Sequence, residues 1–161
     1  MNYHNITHDD MLNGDGLRVV LWVAGCNHRC PNCQNPQTWE LSSGIPFDGD
    51  AYEELRKELS HSYTKGITFS GGDPLHPTNR PVVTNLIERL KQEFPEKDVW
   101  IYTGYKWEEI KNLPLLERVD VVVDGLFEEQ FKDVNAPWVG SINQKVIDVQ
   151  SSLLLGKIVL H

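Results

Sequence analysis

The sequence predicts an α/β fold: a single domain built as a partial, open β/α barrel around a mostly parallel sheet. Short β-branched runs alternate with stretches of helical periodicity, the pattern of βαβ crossovers. The 161 residues fit one domain, residues 1–161, with a core of ordinary size. About five strands can be read, too few to close an eight-stranded barrel.

Residues 17–24 are rich in β-branched and aromatic side chains and stop at Gly25, as a mostly buried strand does. After a loop punctuated by Gly and Pro, Asp48 or Asp50 can cap a helix with Tyr52, Leu55 and Leu59 on one face. Residues 67–70 make a second strand, ended by Gly71 and Gly72. The clearest period is Val83, Leu86, Ile87, Leu90 and Phe94, a helix with Pro81 near its start and Pro95 beyond its end. Residues 99–102 are a third strand, and Trp107, Ile110 and Leu113 mark a short helix closed by Pro114. Residues 119–123 are a fourth strand, broken at Gly125, and 146–149 a weaker fifth. Residues 153–161 are either a last strand or a contact surface.

Composition narrows the function. Fifteen Lys and Arg against 23 Asp and Glu leave a net charge of −8, which argues against a nucleic-acid partner, since phosphate backbones attract clustered cations. The most apolar stretch, residues 17–24, is too short to span a bilayer and carries Arg18. Residues 1–13 are polar, so neither a membrane segment nor a targeting signal is expected. All three cysteines fall within eight residues, which suits no secreted disulfide framework and points to the cytoplasm and to metal.

In a parallel sheet the C-terminal ends of the strands share one edge, where ligands of open α/β folds bind. The distinctive segments all fall there: the cysteines, then residues 71–74, then 103–105, then Asp124 and Gly125. Cys26, Cys30 and Cys33 put three soft thiolates on one tight loop, which selects an iron-sulfur cluster or zinc. A closed zinc site wants four ligands, and an electron-transfer 4Fe-4S cluster normally takes four cysteines, yet this chain has no fourth. One coordination position stays open unless a histidine fills it, His76 being better placed for a zinc module than His28, which sits between two cysteines. Gly71 and Gly72 let the backbone approach a ligand closely, with polar groups free to bind it, and Asp73 is acidic where a cationic ligand needs a counter-charge.

The spacing of Cys26, Cys30 and Cys33 after one strand, with the Gly71-Gly72-Asp73 turn after the next, resembles the radical S-adenosylmethionine superfamily. Within it the chain is similar to the small glycyl radical enzyme activases that serve the anaerobic (class III) ribonucleoside-triphosphate reductase. Carrying that likeness are residues 15–18, 25–35, 69–74, 102–104, 123–125 and 140–144. The resemblance implies a radical S-adenosylmethionine type of barrel and a 4Fe-4S cluster on the three cysteines. Its open iron is chelated by the amino and carboxylate groups of S-adenosyl-L-methionine. It further implies a 5'-deoxyadenosyl radical that makes a glycyl radical on the reductase, with an electron donor such as flavodoxin. No side-chain acid or base is required.

By the same resemblance, Ser70, Gly71, Gly72 and Asp73 contact the methionyl ammonium, and Asn143 and Gln144 contact ribose or carboxylate. Tyr102, Thr103 and Gly104 at the end of their strand are read as lining the nucleoside, core packing being the alternative for the aromatic ring. An aromatic residue commonly precedes the third cysteine in the superfamily and lies near the adenine. Asn32 stands there in this chain, with His28 as the substitute. Activation of another glycyl radical enzyme, such as pyruvate formate-lyase, is the nearer alternative, and a Cys3His zinc module the more distant one. The long segment 125–140, with Asn135, Pro137 and Trp138, is expected to help dock a protein substrate.

Overall fold

In the computed structural model, which describes residues 1–161, the chain runs β1 (Asn2–Asp10), β2 (Arg18–Val23), β3 (Ile45–Pro46), α1 (Gly49–Leu59), β4 (Gly66–Gly71) and α2 (Arg80–Glu93). It continues through β5 (Asp98–Tyr102), α3 (Trp107–Ile110), β6 (Val121–Asp124), β7 (Lys145–Asp148) and α4 (Val149–Leu155). One open sheet of seven strands takes the order β3-β1-β2-β4-β5-β6-β7. The parallel sheet read from the sequence is its centre: β2, β4, β5 and β6 pair in parallel, while β1, β3 and β7 flank them antiparallel.

Two strands were not expected. β1 is polar and buries only Ile6, and two register irregularities, at Tyr3/Asn5 and Thr7/Asp10, break the period-two pattern that marks a strand. β3 has two residues, both exposed. The tail is not a last strand: α4 is capped by Asp148, which accepts from the Ser151 N–H at 3.0 Å, and ends at Gly156 in the left-handed region at φ +67°. An isolated bridge then joins Leu160 to Ile147. The capping reading at the first helix holds, with Asp48 accepting from the Ala51 N–H at 2.9 Å.

Alternation along the strands sorts the core into two layers. Val19, Leu21, Val23, Ile67, Phe69, Val99, Ile101 and Val122 belong to the main hydrophobic cluster, to which every helix contributes. Their neighbours, among them Val20, Trp22, Thr68, Ser70, Trp100, Tyr102, Val121 and Val123, face the other way. No helix covers that second face. Trp138 and Val139 of the long segment pack against Trp100, Val121 and Val123, and the His161 ring meets Trp100 edge-on at 5.1 Å. The two-layer arrangement leaves one side of the sheet open beneath loops.

Arg18 is fully buried at the start of β2. Its guanidinium donates to Thr68 Oγ1 at 2.8 Å, Asp15 O at 2.8 Å and Ile67 O at 3.1 Å, pairs with Asp98, and lies 5.3 Å from the centre of the Trp100 ring. One side chain thus joins the N-terminal ends of β2, β4 and β5, opposite the edge that carries the cysteines. Truncation would leave Asp98 without its partner. Arg18→Ala is expected to lower the free energy of unfolding by about 3 kcal/mol in urea titrations.

Candidate metal and cofactor site

Beyond β2 the chain turns at Gly25, at φ +106°, into the cysteine loop. The loop's base is sewn to its neighbours by backbone hydrogen bonds. Gly25 N–H donates to Thr38 O at 2.7 Å and Cys26 N–H to Trp39 O at 2.9 Å, so the segment after the cysteines folds back over their start. From the other side, Gly72 N–H donates to Val23 O and Asp73 N–H to Gly25 O, both at 2.7 Å. The approach demands glycine: a Cβ on Gly72 would lie 2.6 Å from Gly25 O. Those two N–H groups are therefore spent inside the protein, a correction to the expectation that the turn's polar groups stand free for a ligand.

Cys26, Cys30 and Cys33 are partly exposed, unpaired thiols that line one cavity of about 700 Å³. Ser70, Gly71, Gly72, Asp73, His28, Tyr102 and Gln144 line it as well, so most of the predicted residues meet. Burial raises the Cys26 and Cys30 thiols above their ordinary range. Backbone N–H groups oppose that: those of His28 and Arg29 act on Cys26, and that of Phe127 on Cys30. Asn35 N–H donates to Cys33 Sγ at 3.3 Å. The Asn35 N–H is the kind of backbone donor that supports a thiolate on an iron-sulfur cluster. Three thiols on one cavity wall, in a chain with no fourth cysteine, are a donor set of the kind that holds an iron-sulfur cluster.

Asp73 is buried, and four donors surround its carboxylate: His28 Nε2 at 2.7 Å, the Thr103 hydroxyl at 2.9 Å, Gly104 N–H at 3.0 Å and Leu75 N–H at 2.8 Å. The carboxylate still lines the cavity, but with much of its acceptor capacity already taken by the protein. The same bond holds His28 above its ordinary pKa and fixes its ring beside the cavity. Asn32, at φ +58°, adopts a left-handed backbone that asparagine tolerates and an aromatic side chain rarely does.

Other expectations change in detail. Gln144 accepts from Gly140 N–H at 2.9 Å and donates to Gly125 O at 2.9 Å, so its amide clips the two ends of the long segment together. Asn143 does not line the cavity; it donates to Leu126 O at 2.8 Å. His76 is buried, outside the cavity lining, with Nδ1 accepting from Thr78 N–H at 3.1 Å, so it does not complete a zinc site. No three His, Cys, Asp or Glu side chains gather closely enough to hold a single metal ion.

Sequence reasoning missed Trp39, Asn79 and the β1–β2 connection. Trp39 and Tyr102 line the cavity with a buried Nε1 and a buried hydroxyl that have no partner. Asn79, fully buried just ahead of α2, donates to Ala24 O and Asp73 O and so welds the cysteine loop to the glycine turn. Met11, Leu12 and Asn13 form part of the rim. An asparagine or tryptophan in a loop carries no periodic signal, so only the three-dimensional arrangement reveals these residues.

The class is that of an iron-sulfur protein with a thiol-lined cavity: residues 12–147 match the 4Fe-4S single cluster domain family. Relatives named anaerobic ribonucleoside-triphosphate reductase-activating protein align over nearly the whole chain. That of Enterobacteria phage T4 is 47% identical over 146 residues, covering 91% of this chain and 93% of its own length. That of Escherichia coli K12 is 42% identical over 150 residues, covering 91% and 97%. That of Haemophilus influenzae is 39% identical over 148 residues, covering 89% and 96%. The chain belongs to the family of anaerobic ribonucleoside-triphosphate reductase-activating proteins.

Gly72→Ala is expected to destabilise by about 1–3 kcal/mol, because the methyl group meets backbone that cannot yield. Gly49→Ala, with nothing within 4 Å of the added carbon, is the control and should shift the urea midpoint little or upward.

Proposed function

We propose that the chain activates the anaerobic (class III) ribonucleoside-triphosphate reductase by generating a glycyl radical on it. Cys26, Cys30 and Cys33 would hold a 4Fe-4S cluster, with S-adenosyl-L-methionine in the adjoining cavity. One observation carries this reading: the chain's only three thiols open onto the cavity that Ser70, Gly71 and Gly72 also line. Held by Cys26, Cys30 and Cys33, a reduced cluster would supply the single electron for reductive cleavage of the sulfonium C5'–S bond, giving methionine and the 5'-deoxyadenosyl radical that would take a hydrogen atom from a glycine Cα.

The chain's own residues bind and orient. A methionyl ammonium is a donor and needs acceptors, so the consumption of the Gly72 and Asp73 N–H groups leaves the carbonyl side of residues 70–72 suited to it. The unpartnered Tyr102 hydroxyl and Trp39 Nε1 are the buried polar groups a nucleoside would satisfy. Burial raises the Tyr102 hydroxyl far above its ordinary pKa, so it stays a neutral donor. Gln144 serves at one remove, by closing the segment 125–140 against the cavity.

The open sheet supports a half-barrel of the radical S-adenosylmethionine type, with its helix-free face as the interior. A face closed by the segment 125–140 rather than by a helix suits a protein substrate, whose glycine loop must reach the cavity. No helix is long and apolar enough to cross a membrane. A place in the cytoplasm beside a flavodoxin-like electron donor belongs to the proposed reading and follows from the resemblance to the activases.

Anaerobic reconstitution with iron and sulfide, followed by S-adenosylmethionine and a reductant, is expected to yield 5'-deoxyadenosine. A chain that takes up no iron, or that leaves the sulfonium intact, would sink the reading. Cys30→Ser is expected to abolish the glycyl radical doublet in electron paramagnetic resonance of the mixed reductase. Comparison with pyruvate formate-lyase as substrate separates the two activase readings.

A further inference from the structure

We propose that His28 is the positioning residue of the cysteine loop. Through Asp73 it ties the stretch between Cys26 and Cys30 to the ends of β4 and β5, so that the loop holds its shape before any cluster is present. From Cys26 to Cys33 few other contacts hold the loop, among them Arg29 over the Trp39 ring at 5.2 Å and Asn35 N–H on Cys33 Sγ. Its backbone makes only two backbone hydrogen bonds, Cys26 N–H to Trp39 O and Cys33 N–H to Cys30 O at 3.1 Å. Arg29, at φ +50°, and Asn32, at φ +58°, stand in the left-handed region, which a long side chain such as arginine seldom enters without outside support. The other side-chain ion pair, Arg29 with Glu40, is exposed on both sides and contributes little.

His28 is held on three sides. Its Nε2 donates to Asp73 Oδ2 at 2.7 Å, and Tyr105 meets the ring edge-on at 4.7 Å. Gly104 lies flat against it: a Cβ there would stand 2.5 Å from the ring's Cδ2 and 2.7 Å from Nε2. Asp73 is itself immobile, buried and fixed by Thr103, Gly104 and Leu75. A hydrogen bond to a buried carboxylate, with the ring boxed in by backbone and an aromatic edge, is the strongest polar tie this loop possesses.

The first arm of the test needs no cluster and does not rest on the proposed function; the second does. In the cluster-free chain, His28→Ala is expected to speed hydrogen exchange of amides 26–35 about tenfold, the loss of one charge-assisted hydrogen bond. Exchange in β4 and β5 should stay unchanged. In the reconstituted protein, a chelator should strip iron from the same variant about tenfold faster. His28→Gln, whose amide can reach Asp73, is expected to restore both. Gly104→Ala, which pushes the ring aside but keeps every polar group, should reproduce His28→Ala and decides the matter if that variant does not fold.

Wild-type exchange and iron release in both His28→Ala and Gly104→Ala would overturn the proposal. So would a His28→Ala chain altered only in its affinity for S-adenosylmethionine, which would assign the ring to ligand contact. A wild-type chain that takes up no iron overturns the cluster reading alone, and the exchange comparison still decides the tie.

Discussion

A single buried carboxylate sets the geometry of the site. An unpaired charge out of water is costly, so Asp73 is stable only where donors converge on it, and its four donors come from three stretches of chain. His28 brings the cysteine loop, Thr103 and Gly104 bring the end of β5, and Leu75 N–H closes the turn that Asp73 itself occupies. The close packing of Gly25 on Gly72 allows this convergence, because no side chain separates the two turns. Cavity walls and thiol positions follow from that one knot of hydrogen bonds.

The centre of the fold was legible because its strands are short, β-branched and buried, and its longest helix keeps an unbroken period from Val83 to Leu90. Failures came where physical rules compete. β1 borrows its stability from pairing with β2 rather than from burial, so its polar sequence and bulged register hide it. α4 is short, and its Leu153, Leu154 and Leu155 are exposed, which erases the amphipathic signal. β7 reads like the other strands, yet runs antiparallel, because no crossover helix separates it from β6.

Within the site, residue type was legible and bonding was not. Spacing alone gathers the three cysteines, and strand order alone brings the Gly71-Gly72-Asp73 turn beside them. What a polar side chain does there depends on which neighbours reach it first. Asp73, Gln144 and His28 look available in a linear sequence, yet each is engaged by another part of the chain. Trp39, which the sequence does not mark, and Tyr102 keep unsatisfied polar atoms at the cavity.

Alternation along the strands has an evolutionary corollary. Ile67 and Phe69 answer to the helices behind the sheet, while Thr68 and Ser70, their immediate neighbours, answer to the opposite side. Substitutions at even and odd positions of one strand therefore fall under separate selective pressures. Drift that retunes ligand preference need not erode thermodynamic robustness. An insertion or deletion of a single residue inside β4, by contrast, would exchange the two roles along the whole strand, which makes strand length here more tightly constrained than identity.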